Sequence, residues 1–260
     1  MFETRSVGFA AMRWDAVRYQ SSFAFVTRHG KLLIDLLDPR PGERIVDLGC
    51  GAGVLTAQIA ARGAAALGVD SSAQMIAKAR ADYPDLAFEL ADGHDFSVAR
   101  RQHAVFSNAA LHWMSRDPDA VIARVRAALV PGGRFVAEFG AAGNCAVLLA
   151  AVSAVWARHG VELTVPWYFP SPAEHAARLE RGGFTVRLLR YFDRPSLLDQ
   201  CPDGIADWLA MFGADMVAQL PAAAVPKALA SVNEIAAGQL LRPDGWYADY
   251  VRLCFVAERR

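Results

Sequence analysis

"RIVDLGCGAGVLT", residues 44–56, passes from an apolar strand through a glycine-rich turn into a helix. Ile45, Val46 and Leu48 form the aliphatic run of a buried strand. Gly49, Gly51 and Gly53 then remove the side chains that would hold a ligand away from the backbone. A helix starting near Val54 points its unpaired N–H groups into the same space. Many nucleotide-type sites use such a turn, so the spacing matters. Here it is Gly-x-Gly-x-Gly, with an acid, Asp47, two residues before the first glycine. The Gly-x-Gly-x-x-Gly fingerprint of a dinucleotide dehydrogenase is absent.

Ligand sites of open α/β sheets are assembled at the carboxyl ends of several parallel strands, so later segments should carry their own signatures. "AAALGVDSSAQMIAKAR" reads as a second strand ending at Asp70, with Ser71 and Ser72 as candidate helix caps. "LAFELAD" reads as a third strand ending at Asp92, followed by Gly93 and His94. "HAVFSNAALHW" gives a fourth strand ending at Asn108, and "LVPGGRFVAEFG" a turn before a fifth.

"VDLGCGAG" resembles motif I of the class I S-adenosylmethionine-dependent methyltransferases, and the other strand ends match in order. From "WDAVRYQSSFAFVTRHG" through "FSNAALHW" and "PWYFPS" to "WYADYVRLCFVAERR", the chain is similar to the trans-aconitate methyltransferase group and its bacterial relatives. It is more loosely similar to malonyl-carrier-protein methyltransferases. The resemblance implies a Rossmann-like, doubly wound seven-stranded sheet with an antiparallel seventh strand, N-terminal helices over the site and a helical cap. It implies S-adenosylmethionine as cofactor, held by Asp47, Gly49, Cys50, Gly51, Gly53, Asp70, Ser71, Met75, Asp92, Gly93, Asn108 and Ala109. Asp70 would accept the ribose hydroxyls, Asp92 would meet the adenine amino group, and the Asn108 carbonyl would lie near the methionine ammonium.

Lys plus Arg and Asp plus Glu both number 27, so no basic surplus argues for nucleic acid. The first residues carry charges where a signal peptide needs an apolar stretch, and no uncharged run is long enough to span a bilayer. The expectation is a cytoplasmic enzyme, monomeric or homodimeric, with a small-molecule acceptor and no nucleic-acid or membrane partner. Cys50, Cys145, Cys201 and Cys254 lack the paired spacing of a zinc or redox site, and the histidines have no metal-ligand spacing. No metal is expected. Four segments are expected: N-terminal helices in 1–40, the cofactor-binding core in 41–140, a helix and aromatic loop in 141–183, and the last two strands in 184–260, with a helical insertion at about 202–240.

The candidate catalytic residues are His112, Trp113 and Tyr19. Leu111, His112 and Trp113 fit a Leu-His/Gln-Trp segment of plant carboxyl methyltransferases, whose indole N–H can hold a substrate carboxylate. The chain differs from trans-aconitate methyltransferase in having His112 where that group has glutamine. A carboxylate is ionised near neutrality and needs no general base, whereas a phenol or amine would draw on His112 or Tyr19. The other reading of His112 is packing beside the adenine, and of Trp113, a core position. Trp14, Tyr19, Arg28, Trp113, Trp167, Tyr168 and Phe169 are the candidate acceptor-pocket residues, each also explicable as packing or as a solvated helix face. Carboxylate O-methylation leads. N-methylation of an amine or heterocycle, and a non-methylating S-adenosylmethionine-binding protein, are the alternatives.

Overall fold

The structure is a computed structural model and describes residues 24–260. Trp14 and Tyr19, and the first of the two N-terminal helices expected from the sequence, lie outside the described residues, as does the Arg28 side chain. The second helix, α1 (Ala24–Leu37), ends two residues before Pro39. Its last carbonyls are taken up by Arg134, which donates to Leu37 O at 2.7 Å and pairs with Glu43 at 2.6 Å.

Strands and helices then alternate: β1 (Arg44–Leu48), α2 (Val54–Ala60), β2 (Ala65–Asp70), α3 (Ala73–Asp82), β3 (Ala87–Leu90), β4 (Gln102–Asn108), α4 (Pro118–Ala128) and β5 (Leu129–Gly140). They are followed by α5 (Ala146–Arg158), α6 (Pro172–Arg181), β6 (Phe184–Leu197), α7 (Ile205–Phe212), α8 (Ala214–Val217), α9 (Val225–Leu240), β7 (Leu241–Arg242) and β8 (Gly245–Arg259). The sheet order is β3-β2-β1-β4-β5-β8-β6. Strand β8 runs antiparallel between β5 and β6, as the doubly wound expectation required of the last strand. The two-residue β7, hairpinned onto β8, is an addition that the sequence pattern did not reveal.

Period-two alternation divides the sheet's side chains between two layers. Ile45, Ala104, Phe106 and Val136 pack under α1 and α2 with Leu33, Ile34, Leu37 and Ile59. Their neighbours Val46, Leu48, Val105, Phe135 and Ala137 face Val121, Ile122 and Val125 of α4 and Leu179 of α6. Two covered faces explain why these strands read as continuous apolar runs. A further apolar cluster joins Leu148, Val152 and Trp156 of α5 to Trp208 and Leu209 of α7, Val232 and Ala236 of α9, and Ala248 and Tyr250 of β8. Helix α5 therefore shares its buried face with the inserted helices and completes a helical layer beyond the carboxyl end of β5.

Candidate active site

Two cavities open beside each other at the carboxyl ends of the central strands, and Ala109 and Trp113 line both. The larger is a cleft of about 790 Å³, open solvent at its mouth included, over the glycine turn. At Gly49, with φ +76°, a Cβ would stand 2.2 Å from the Ala110 Cβ, so only glycine fits. At Gly51, with φ +53°, a Cβ would meet nothing within 4 Å. That vacancy is the cleft itself, where Gly51 leaves the backbone open to a ligand.

Asp70 ends β2 and ties the turn in place. One carboxylate oxygen accepts from the Gly51 N–H at 2.9 Å and the other from the Ser72 N–H at 2.8 Å. A carboxylate offers about four lone-pair sites, so acceptor capacity remains toward the cleft. Burial raises the Asp70 pKa against the opposing pull of these backbone donors. Ser71 and Met75 line the same wall, and Ser72 caps α3 by accepting from the Met75 N–H.

Strand β3 stops at Leu90, two residues earlier than expected, because Asp92 bends the chain: its carboxylate accepts the His94 N–H at 2.9 Å. The His94 ring completes the turn, with Nδ1 at 2.5 Å from Asp92 and Nε2 accepting from the Asp117 N–H at 3.3 Å. Burial pushes the Asp92 carboxyl up, but the His94 bonds and Arg116 outweigh it, leaving it below its ordinary value. Asp92, Gly93, His94, Asn108 and Met114 line the cleft. Ala109 follows β4 with φ +53°, held there by its N–H bond to Glu138 O at 2.7 Å. A non-glycine residue in this region marks a backbone fixed by its surroundings at a site.

Three residues expected at the cofactor stand behind the turn. Asp47 is buried beneath it, accepts from Thr56 Oγ at 2.6 Å, and is pushed up to about 7 by burial. Cys50 packs against Ile76, Ala79 and Phe88. Gly53 is required because a Cβ would strike the Phe88 ring at 2.7 Å. All three shape the turn, and none lines the cleft.

The second cavity, about 470 Å³ with the open solvent at its mouth included, is walled by Trp113, Trp167, Phe169, Trp208, Phe212 and Tyr250, with His112, Asn144, Cys145 and Arg252. Trp167 meets Trp113 edge-on at 5.4 Å and stacks on Phe169 at 5.6 Å. Tyr168, between these two wall residues, does not line the cavity. It stacks on Phe139, and its hydroxyl lies 3.3 Å from His175 Nδ1, away from the acceptor pocket where the sequence placed it. His112 is buried, and its Nδ1 accepts from the Gly140 N–H at 3.4 Å, which leaves the ring proton on Nε2. Burial, assisted by nearby Arg252, holds it neutral well below the usual histidine value.

Arg252 was missed by sequence reasoning. It is 7% exposed, its Nε has no hydrogen-bond partner among the described residues, and its guanidinium lies 4.5 Å over the Tyr250 ring. The nearby acid, Glu138, is already gripped at both oxygens by Arg194. Trp167 Nε1 is a second buried donor without a partner in the same cavity. An arginine on an otherwise apolar strand, "VRLCFVA", was the available signal. Among the described residues no group of three or more His, Cys, Asp or Glu is placed to hold a metal, and no helix is long and apolar enough to cross a membrane.

The chain is 32% identical over 263 residues to an uncharacterised methyltransferase of Schizosaccharomyces pombe, C70.08c, covering 95% of this chain and 98% of that one. Residues 45–133 match the family model described as a methyltransferase domain. The chain belongs to the class I S-adenosylmethionine-dependent methyltransferases. A trans-aconitate 2-methyltransferase of Deinococcus radiodurans is 40% identical over 125 residues, 47% of each chain. The YcgJ protein of Bacillus subtilis shares the fold with a TM-score of 0.65 at 17% identity, over 90% of this chain and 99% of that one. In this methyltransferase the cleft over Gly51 fits S-adenosylmethionine, with an open glycine where backbone must meet ligand and a strand-end acid beside it.

Proposed function

We propose that this methyltransferase esterifies a small carboxylic acid held in the aromatic cavity. The observation that carries the reading is Arg252, a buried cation whose Nε has no partner among the described residues, on a cavity sharing Ala109 and Trp113 with the cleft. Proteins rarely bury a guanidinium without an anion, and the natural anion here is the acceptor. The unpartnered indole N–H of Trp167 supplies a second donor to the same carboxylate.

In this reading Asp70 accepts the ribose hydroxyls, Asp92 with Gly93 faces the adenine, and the Asn108–Ala109 turn receives the methionine end, where the two cavities meet. The cofactor supplies an electrophilic methyl on a sulfonium. The chain's own work is alignment and exclusion of water. Arg252 and Trp167 hold the acceptor carboxylate, Trp113 stands at the junction, and the aromatic walls keep the passage dry. A carboxylate nucleophile requires no proton transfer, which accords with His112 being neutral and weakly basic. An ammonium acceptor would be repelled by Arg252, and His112 is too weak a base to deprotonate it.

The test is S-adenosylhomocysteine release by the purified chain with carboxylic acids, phenols and amines offered separately. Acids should drive it. An amine or phenol turned over far faster than every acid would overturn the reading.

A further inference from the structure

We propose that the acceptor is a monocarboxylate with a flat, apolar body, such as an aryl or arylalkenyl acid, and not a polycarboxylate. This rests on the reading that the aromatic cavity takes the acceptor. Most polar groups on the cavity wall already have partners within the protein. Trp208 Nε1 donates to the Tyr250 hydroxyl at 2.8 Å. Asn144 is used on both sides, its Oδ1 accepting from the Val251 N–H at 3.0 Å and its Nδ2 lying 3.4 Å from Cys145 Sγ. His112 Nδ1 is taken by Gly140, and burial keeps the Cys145 thiol protonated. The neighbouring cation, Arg194, is committed to Glu138.

What remains on the wall, among buried polar atoms of the described residues, is Arg252 Nε and Trp167 Nε1. One cation, with the Trp167 Nε1–H and the His112 Nε2–H as neutral donors beside it, matches one carboxylate. A second or third carboxylate on the same acceptor would be stripped of water against indole and phenyl faces, with no second cation among the described residues of the cavity wall to meet it.

The shape of the cavity points the same way. Trp113, Trp167 and Trp208 form an edge-to-face series, with Trp167 at 5.4 Å from one and 5.7 Å from the other, and Phe169 stacked behind Trp167. Rings locked against one another present flat walls that reward a planar apolar ligand and give a hydrated, branched one nothing in return. The trans-aconitate 2-methyltransferases similar to this chain are named for a tricarboxylate, so the inference separates it from them.

The test compares kcat/KM of the full chain for benzoate, phenylacetate and cinnamate with that for fumarate, citrate and trans-aconitate, following S-adenosylhomocysteine and the methyl ester. The best aryl acid should exceed every polyacid by at least ~30-fold. A polyacid preferred over all aryl acids overturns this inference and leaves carboxylate methylation standing. An amine or phenol preferred over every acid overturns both. If no acid tried is turned over, quenching of tryptophan fluorescence by cinnamate is measured with S-adenosylhomocysteine bound. Saturable quenching that citrate fails to compete, and that Arg252→Met abolishes while remaining folded, supports the inference. Absence of saturable cinnamate binding, competition by citrate, or binding that survives in folded Arg252→Met overturns it.

Discussion

Replacing Arg252 by methionine separates a structural arginine from a ligand-binding one, because the two roles predict opposite effects on stability and activity. In the free protein Arg252 is 7% exposed, its Nε has no hydrogen-bond partner among the described residues, and its guanidinium rests on Tyr250. Burial accordingly lowers its pKa. Removing such a cation relieves a desolvation penalty, a change worth about 1–4 kcal/mol when apolar side chains replace buried charges. The lost ring contact opposes it by about 0.5–2 kcal/mol. The net expectation is a thermal midpoint unchanged or raised. The acceptor carboxylate, by contrast, would enter the cavity without its cation. Truncating one partner of a buried charge pair costs about 2–5 kcal/mol, roughly 30-fold to several thousandfold in kcat/KM. Affinity for S-adenosylhomocysteine should hold, since Arg252 does not line the cofactor cleft. Differential scanning calorimetry, titration calorimetry and steady-state kinetics on one preparation give all three numbers. A folded variant that keeps wild-type turnover of acids, or one that is strongly destabilised with unchanged kinetics, would refute the reasoning.

Further expectations concern the cleft and the buried ionisable groups. Asp70→Ala removes both a ligand acceptor and the tether to the Gly51 and Ser72 N–H groups, so S-adenosylhomocysteine affinity should fall about ten- to a hundredfold by calorimetry; unchanged affinity would remove the assignment. Gly51→Val places a Cβ that meets no protein atom within 4 Å, but it must adopt φ +53° and projects into the cleft, so it should stay folded by circular dichroism and lose cofactor binding. Gly53→Val, which would strike Phe88, should instead unfold more readily. His175, held near 4 by burial against an ordinary 6.5, stabilises fully above 6.5, and that contribution of about 3 kcal/mol at most is lost as pH falls toward 4. Asp47, raised from 3.8 to about 7, has the opposite sign: its contribution is full below 3.8 and lost as pH rises to 7. The two oppose each other in wild type, so the measurement is the stability difference between wild type and His175→Phe, which should shift against wild type as pH falls from 6.5 to 4.

The lining of the cleft was legible because its requirements are local. Glycines at 49 and 51, an acid at a strand end and an Asn–Ala turn each sit within a few residues of an apolar run that dates them to a parallel strand. The limits were also physical. Asp47 and Cys50 lie in the same motif as Gly51, and only the pleat decides which side chains turn under the loop and which backbone faces the ligand. Tyr168 poses the same problem, flanked by two pocket residues yet outside the pocket lining. Arg252, Tyr250 and Trp208 come to the acceptor cavity from α7 and β8, some hundred residues beyond the motifs and brought there only by the insertion of β8 between β5 and β6. No spacing in the chain encodes that approach.

The central claim, that the transferred methyl ends on a carboxylate oxygen, is tested most directly by the chemistry of the labelled product. The purified chain is incubated with S-adenosylmethionine labelled in its methyl carbon and with the best acceptor acid, and the isolated product is treated with mild alkali. The account predicts a methyl ester, whose label is released as methanol at a rate typical of ester hydrolysis. Label that survives alkali, as it would on nitrogen or in a phenol ether, would contradict it.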